Sequence, residues 1–321
     1  MENDQDVLAV RYENGAVRVV EAPPPRGPGV RVRISACGIC GSDLAMLSGG
    51  FPVQGIPGHE IAGALADGTP VAIEPVAPCD TCEYCRSGDY QVCRAGIEII
   101  YGVGRDGGMA EEILVPERCL VALPRGLDPR HAALVEPLAV AVHGLRRAGI
   151  RGGERVAIVG GGAIGLCAVA AAAAAGCRVS LAARHDRQRE AGARLGAQPL
   201  APGEADVAID CAGTTDSLAQ CAETLRPNGV LLLLAAAWGP LALPGFTFVA
   251  KELALTVASM YGRSAQGRDV DAAAALLAAT PAIGALLITH RFPLEAAAEA
   301  FRTARDRKAG AIKVVLEPGA R

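Results

Sequence analysis

Four cysteines stand close together at Cys79, Cys82, Cys85 and Cys93, spaced C-x2-C-x2-C-x7-C within PCDTCEYCRSGDYQVC. Four thiolates on short polar spacers suit a closed, tetrahedral Zn2+ site. An iron–sulfur cluster spreads its cysteines differently or ends its run in Cys-Pro, and core cysteines would not be separated by polar residues. A closed four-thiolate site has no position left for substrate, so its role is structural. Chemistry needs a second set of ligands, and three segments offer one: CGICGSD from Cys37 to Asp43, GIPGHE from Gly55 to Glu60, and LVEPLAVAVHG from Leu134 to Gly144. Cys40, His59 and a glutamate give one thiolate, one imidazole and one carboxylate. Three protein ligands and an open fourth position are the pattern of a catalytic zinc. Spacing alone does not bring these distant segments together.

A glycine loop adds a second kind of chemistry. The apolar run Arg155-Val-Ala-Ile-Val159 leads into Gly160-Gly-Gly162-Ala163-Ile164-Gly165, a G-x-G-x-x-G between a strand and a helix. Gly160 makes the turn, Gly162 admits a pyrophosphate, and Gly165 lets helix and strand approach. The first turn of the helix, with Ala163 and Ile164, supplies amide donors and a favourable dipole. About twenty residues beyond such a loop, an acidic side chain selects NAD by binding the adenosine ribose. Here the chain reads Leu181-Ala-Ala183-Arg184-His185. Losing the carboxylate at Ala183 and gaining Arg184, with His185 beside it, suits a 2′-phosphate. NADP(H) is therefore favoured, with NAD(H) open. Asp186 reads as the N-cap of the next helix.

These residues must be positioned by two kinds of architecture. The first 130 or so residues carry short apolar segments divided by Gly and Pro turns, the texture of a β-rich domain. From Glu154 onward apolar strands alternate with alanine-rich helices, which means a parallel sheet with helical crossovers. The last stretch returns to the first style, so the chain is expected to cross back. The fold class is α/β: a β-rich domain over 1–135 and 277–321, with a cysteine lobe at about 78–95, and a doubly wound parallel-sheet domain over 136–276.

At 321 residues and 51% hydrophobic, the chain is long enough for two buried cores, and the 3% aromatic content favours close helix–sheet packing. A formal net charge of −3 and the absence of a basic stripe argue against nucleic acid or an anionic membrane as partner, and against a zinc-ribbon DNA binder. The acidic start MENDQDVLAV does not resemble a signal peptide, and the alanine run at 168–175 reads as a buried helix rather than a membrane span. Eleven cysteines in a chain with no secretory start read as metal ligands and reduced core thiols, which fits the cytoplasm.

Together, GICGSD, GHE, the four-cysteine lobe, EPLAVAVHG and the glycine loop resemble, in that order and over essentially the whole chain, the zinc-dependent medium-chain dehydrogenase/reductase family of alcohol and polyol dehydrogenases. The resemblance implies a GroES-like catalytic domain with a Rossmann domain inserted before the C-terminal segment. It implies two zinc ions per chain, one structural and one catalytic. Cys40 and His59 match the first two catalytic ligands. Glu60 matches the glutamate beside that histidine, and Glu136 the third-ligand segment, as in the sorbitol and threonine dehydrogenase branch. Members of that branch exchange one glutamate for the other, and Glu136 is preferred without substrate. Ser42 matches the hydroxyl that takes the substrate proton, and Asp43 the carboxylate that fixes the tautomer of the zinc histidine. Cys37 falls outside the ligand position. The implied activity is hydride transfer between a nicotinamide and a secondary alcohol, polyol, amino alcohol or cyclitol and its ketone, in a homo-oligomer. The alternative is a zinc-containing nucleotide-binding relative without that activity. The chain departs from the family pattern at Ala45, where many members carry a proton-relaying histidine, at Ala183, and in the segment Gly63 to Pro75, which is short.

Overall fold

The structure, a computed structural model, describes residues 5–50, 55–201 and 203–319. Met1–Asp4, on which part of the N-terminal reading rests, lie outside the described residues. The chain divides into two compact units, Met1–Glu136 with Gly262–Arg321, and Pro137–Tyr261.

The first unit is built on the long strand Val30–Ile39. Val32 and Ile34 turn inward and Arg33 and Ser35 outward, and from Ala36 to Ile39 every residue is buried. The strand therefore starts as a half-exposed element and ends in the core, where its tip delivers Cys40. It pairs antiparallel with Glu60–Ala64, Glu112–Val115 and Lys313–Glu317. The sheet has seven strands, completed by Pro70–Ile73, Leu120–Ala122 and Ile288–Pro293. The short segment after GHE is a hairpin: Glu60–Ala64 and Pro70–Ile73 pair, and Leu65 and Thr69 close the turn with Gly68 at φ 85°. A separate hairpin, Val7–Glu13 with Ala16–Ala22, packs on the same core, with Tyr12 edge-on to Phe301 at 5.7 Å.

The second unit holds a six-stranded, all-parallel sheet. Its spatial order is Gln198–Pro199, Arg178–Ala182, Arg155–Val159, Ala205–Asp210, Leu225–Leu233, Ala254–Val257. Numbered along the chain this is 3-2-1-4-5-6, the Rossmann order, with its switch point between Arg155–Val159 and Ala205–Asp210. The helix Ala163–Ala174 is buried from Gly165 to Ala172 because its small side chains let it lie close to the sheet.

Two local expectations are corrected. The segment 262–276 belongs with the first unit, because Arg263 N–H donates to the Gly88 carbonyl at 2.9 Å and Arg268 pairs with Glu74 at 2.9 Å. The N-cap of the helix Asp186–Arg194 is His185. Asp186 is its first residue, where it favours the helix dipole and pairs with Arg189.

Candidate active site

The cysteine lobe folds around its own sulfurs. Cys82 caps the helix Glu83–Ser87, Gly88 ends that helix at φ 93°, and the turn Tyr90–Val92 brings Cys93 back. The Sγ–Sγ separations are 3.4 Å for Cys82–Cys85, 3.8 Å for Cys79–Cys85 and 3.9 Å for Cys82–Cys93. A tetrahedron with Zn–S bonds of about 2.3 Å has edges of about 3.8 Å, so the four sulfurs fit a closed zinc site. Hydrogen bonds from Thr81, and then from the Cys82 amide, hold the Cys79 thiol down to about 5. Burial, and then Cys82, push Cys85 up to about 12. The lobe is moored by a residue that carries no motif signal. Tyr90 donates its hydroxyl proton to the buried Glu74 carboxylate and approaches the Gly262 carbonyl at 3.2 Å.

The second ligand set comes from separate strands. Cys40 sits at the tip of Val30–Ile39 and caps the short helix Gly41–Ala45, and its amide donates to Asp43 Oδ2 at 2.8 Å. Glu60 opens the neighbouring strand and His59 immediately precedes it. Ligand atoms of Cys40, His59 and Glu60 lie within 4.8 Å of one another. Glu136, the second residue of the helix Val135–Arg147, lies outside that compact group but close enough to raise the pKa of the imidazole.

The environment of His59 is charged and nearly dry. Its Nδ1 faces Asp43 Oδ1 at 3.8 Å and its Nε2 faces Ser42 Oγ at 3.3 Å. Burial works against a charged ring, but Asp43 and Cys40 outweigh it and raise the pKa well above the ordinary histidine value. Asp43 on one ring nitrogen directs the other towards a metal. Asp43 Oδ1, His59 Nδ1 and Glu60 Oε2 are buried without a hydrogen-bond partner among the described residues. The first two face each other, which leaves Glu60 Oε2, beside a thiolate and an imidazole, as the orphan that a catalytic cation would complete. Cys37 is fully buried, and burial pushes its thiol well up, so it is a core residue.

Two residues here went unread in the sequence. Lys313, almost fully buried, donates to Glu60 Oε1 at 2.5 Å and to the Ile39 carbonyl at 3.1 Å. Gly38 lies under the Glu60 carboxylate, in space where any side chain would collide with it. A lysine opening the strand KVVLE, ahead of three apolar residues, was the available signal.

In the second unit, Gly160 turns the chain at φ 110° and packs on Ala212, and Gly162 caps the helix Ala163–Ala174. A Cβ at Gly165 would strike the Gly160 carbonyl, the close approach that the third glycine permits. Ala183 lies against Gly161. Arg184 is exposed, and the turn that carries it is held by Arg189, whose guanidinium donates to the carbonyls of Ala183 at 2.9 Å and Arg184 at 2.8 Å. Asp210, at the switch point, accepts from the amides of Ala212 at 2.9 Å and Gly213 at 3.0 Å.

Comparison with known proteins agrees with this geometry. Residues 27–125 match the alcohol dehydrogenase GroES-like domain, and residues 163–279 match the zinc-binding dehydrogenase family. The chain is 31% identical to L-galactonate-5-dehydrogenase of Escherichia coli K12 over 310 residues, 88% of this chain and 89% of that protein. A solved structure described as a zinc-binding dehydrogenase from Sinorhizobium meliloti 1021, bound to NADP, superposes with a TM-score of 0.85 at 30% identity over 98% of this chain and 99% of that one. L-idonate 5-dehydrogenase from Escherichia coli K-12 gives a TM-score of 0.87 at 28% identity over 98% of each chain. Among the described residues no helix is long and apolar enough to cross a membrane.

Proposed function

This chain belongs to the zinc-dependent medium-chain alcohol and polyol dehydrogenases, and we propose that it uses two zinc ions and prefers NADP(H) in oxidising a polyhydroxylated secondary alcohol or sugar acid, or reducing the matching ketone. It is a zinc oxidoreductase acting on alcohols with a nicotinamide cofactor. The observation that carries the proposal is the compact Cys40, His59, Glu60 set with Asp43 buried behind the imidazole.

In this reading Cys79, Cys82, Cys85 and Cys93 hold the structural ion, while Cys40 and His59 hold the catalytic one with Glu60 or Glu136. A bound Zn2+ there would supply Lewis-acid polarisation of the alcohol oxygen, and the nicotinamide would take the hydride. Ser42, whose Oγ lies 3.3 Å from His59 Nε2 before that nitrogen is taken by an ion, would accept the substrate proton while passing on its own. Asp43 holds the imidazole in one tautomer. Ala45 carries no relay group. Gly160, Gly162 and Gly165 let the pyrophosphate approach the amides at Ala163 and Ile164. Arg184, with His185 beside it, meets the 2′-phosphate as a charge-assisted hydrogen-bond donor.

Polyhydroxylated acids are favoured as substrates because the relatives named above act on galactonate and idonate. A homo-oligomer belongs to the same proposal, supported by Phe246 at 86% and Val249 at 77% exposure near the apolar edge strand Ala254–Val257. So does a cytoplasmic setting, supported by eleven cysteines that form no disulfide. The test is a panel of aldonates, polyols, cyclitols and amino alcohols assayed by nicotinamide absorbance with both cofactors, alongside zinc analysis. Two zinc ions and turnover of an aldonate or polyol are expected. One zinc ion and no turnover of any alcohol would leave a nucleotide-binding relative instead.

A further inference from the structure

We infer that Asp210 is a positioning residue for the nicotinamide half of the cofactor, pinning the loop Cys211–Gly213 in the crevice before the cofactor arrives. The inference rests on the dinucleotide reading above.

The order of the sheet divides the crevice. A Rossmann sheet consists of two mononucleotide-binding halves that meet at the switch point. The first half, with Arg155–Val159 and Arg178–Ala182, carries the glycine loop and Ala183–Arg184, to which the pyrophosphate and the adenosine are assigned. The second half, opened by Ala205–Asp210, is left for the nicotinamide. Asp210 ends that strand, paired with Val159 on one side and Leu233 on the other. It stands where Val159 stands in the first half, directly before the loop that meets the ligand.

Three observations give Asp210 this task. First, its carboxylate is fully buried. Oδ1 accepts from the amides of Ala212 and Gly213, and Oδ2 has no partner among the described residues. A charge is costly to bury, and this one is committed to a single short loop. Second, the Asp210 carbonyl accepts from the amides of Leu234 and Ala235 at 3.0 Å each, so the same residue holds the end of the neighbouring strand. Third, the loop is wedged. Gly213 has φ 68°, and a Cβ there would stand 3.0 Å from the Ala235 Cβ. On the other side, a Cβ at Gly160 would stand 3.0 Å from the Ala212 nitrogen. The first glycine of the dinucleotide loop and the end of Leu225–Leu233 therefore close on Cys211–Gly213 from both sides. Without the carboxylate, two backbone N–H groups would turn to other acceptors, and the loop would have to be ordered again at each binding event. A general loosening of the sheet predicts weaker binding of both cofactor halves. A positioning role predicts a loss confined to one.

The experiment is calorimetric titration of the zinc-loaded protein with NADP+ and with 2′,5′-ADP, which carries the adenosine half alone. Asp210→Ala should raise the Kd for NADP+ by about tenfold to a hundredfold, the worth of one charge-assisted hydrogen bond, and the Kd for 2′,5′-ADP by no more than about twofold. Asp210→Asn keeps an acceptor for both amides and should bring the NADP+ Kd back to within about threefold of wild type. If Asp210→Ala does not fold, Gly213→Ala, which drives the loop off Ala235 with the carboxylate intact, must show the same selective loss. Equal losses for the two ligands, an unchanged NADP+ Kd, or an Asp210→Asn protein as weak as Asp210→Ala overturns the inference. A wild type that binds NAD+ instead is titrated with NAD+ and 5′-ADP on the same criteria. A wild type that binds neither dinucleotide ends the dinucleotide reading and this inference with it, a result distinct from unselective loss.

Discussion

The two groups of side chains that could each hold a metal ion differ in how they are assembled. Cys79, Cys82, Cys85 and Cys93 sit on one continuous loop, and their spacing, the Gly88 turn and the Thr81 hydrogen bond are local. Cys40, His59 and Glu60 come from the ends of two paired strands, with Lys313 behind them on a third and Glu136 on a helix. The first set is exposed at Cys79, while the second is mostly buried and crowded with charge. A local loop can close completely around an ion. A site collected from several strands depends on register. A slip of one residue would turn Glu60 away from Gly38 and scatter the set.

The sharpest way to break this comparison is Cys40→Ala. Losing the open-site thiolate should lower kcat/KM by at least about a thousandfold, since Lewis-acid polarisation is worth several kcal/mol. Dinucleotide affinity should be nearly unchanged, because the glycine loop lies in the other unit. Isothermal titration with NADP+ beside the rate assay checks both halves. A Cys40→Ala protein with normal turnover would end the zinc-alcohol mechanism.

Cys82→Ser tests the other side. It should take one zinc ion out of the lobe and lower Tm by on the order of 10 °C, since beside the metal the loop is tied down mainly by polar contacts such as those of Tyr90 and Gly88. At a temperature where the variant is folded, hydride transfer should survive. A Cys82→Ser protein that keeps both zinc ions and the parental Tm contradicts the assignment.

The same contrast of local and distant assembly explains what could be read from sequence. The lobe and the glycine loop were legible because each is complete within one segment. The crossover pattern from Glu154 onward gave the parallel sheet for the same reason, each strand and helix carrying its own signal. Lys313 and Glu74 were not legible, because their partners lie far along the chain and a charge beside an apolar run names no partner. The domain edge near 277 was missed because the helix Asp269–Ala279 is as alanine-rich as those of the Rossmann unit. Its attachment to the first unit runs through Arg268, which no local pattern discloses.

A smaller effect sits in the locally readable strand end. Ala183→Asp with Arg184→Leu should shift the ratio of specificity constants towards NAD(H) by about tenfold to a hundredfold, the worth of a charged hydrogen bond exchanged for a repulsion. Kd values for both oxidised cofactors decide it. A wild-type protein that binds NAD+ as tightly as NADP+ removes Arg184 from the role given to it.

The smallest expected effect tests whether the loop is as independent as its spacing suggests. Tyr90→Phe deletes only the hydroxyl that reaches Glu74, and Arg268 remains as that carboxylate's partner. The loss should be about 1–2 kcal/mol with full zinc occupancy, since a buried acceptor keeps one strong bond. Its pH dependence carries the sign. Burial raises the Glu74 pKa above its ordinary value of 4.5, and the Tyr90 hydrogen bond opposes that rise. Removing the hydroxyl raises the folded-state pKa further and leaves the unfolded value alone. Below about pH 4.5 Glu74 is protonated in both states, and its ionised hydrogen bond contributes nothing. As the pH rises through the folded-state values, the wild type gains a charge-assisted bond that the variant lacks. The Tm difference between wild type and Tyr90→Phe should therefore widen as the pH rises above 4.5. Both proteins carry the same thiolates, so metal loss on the acid side cancels in the comparison. A difference that stays flat with pH would mean that Tyr90 moors the lobe by packing alone.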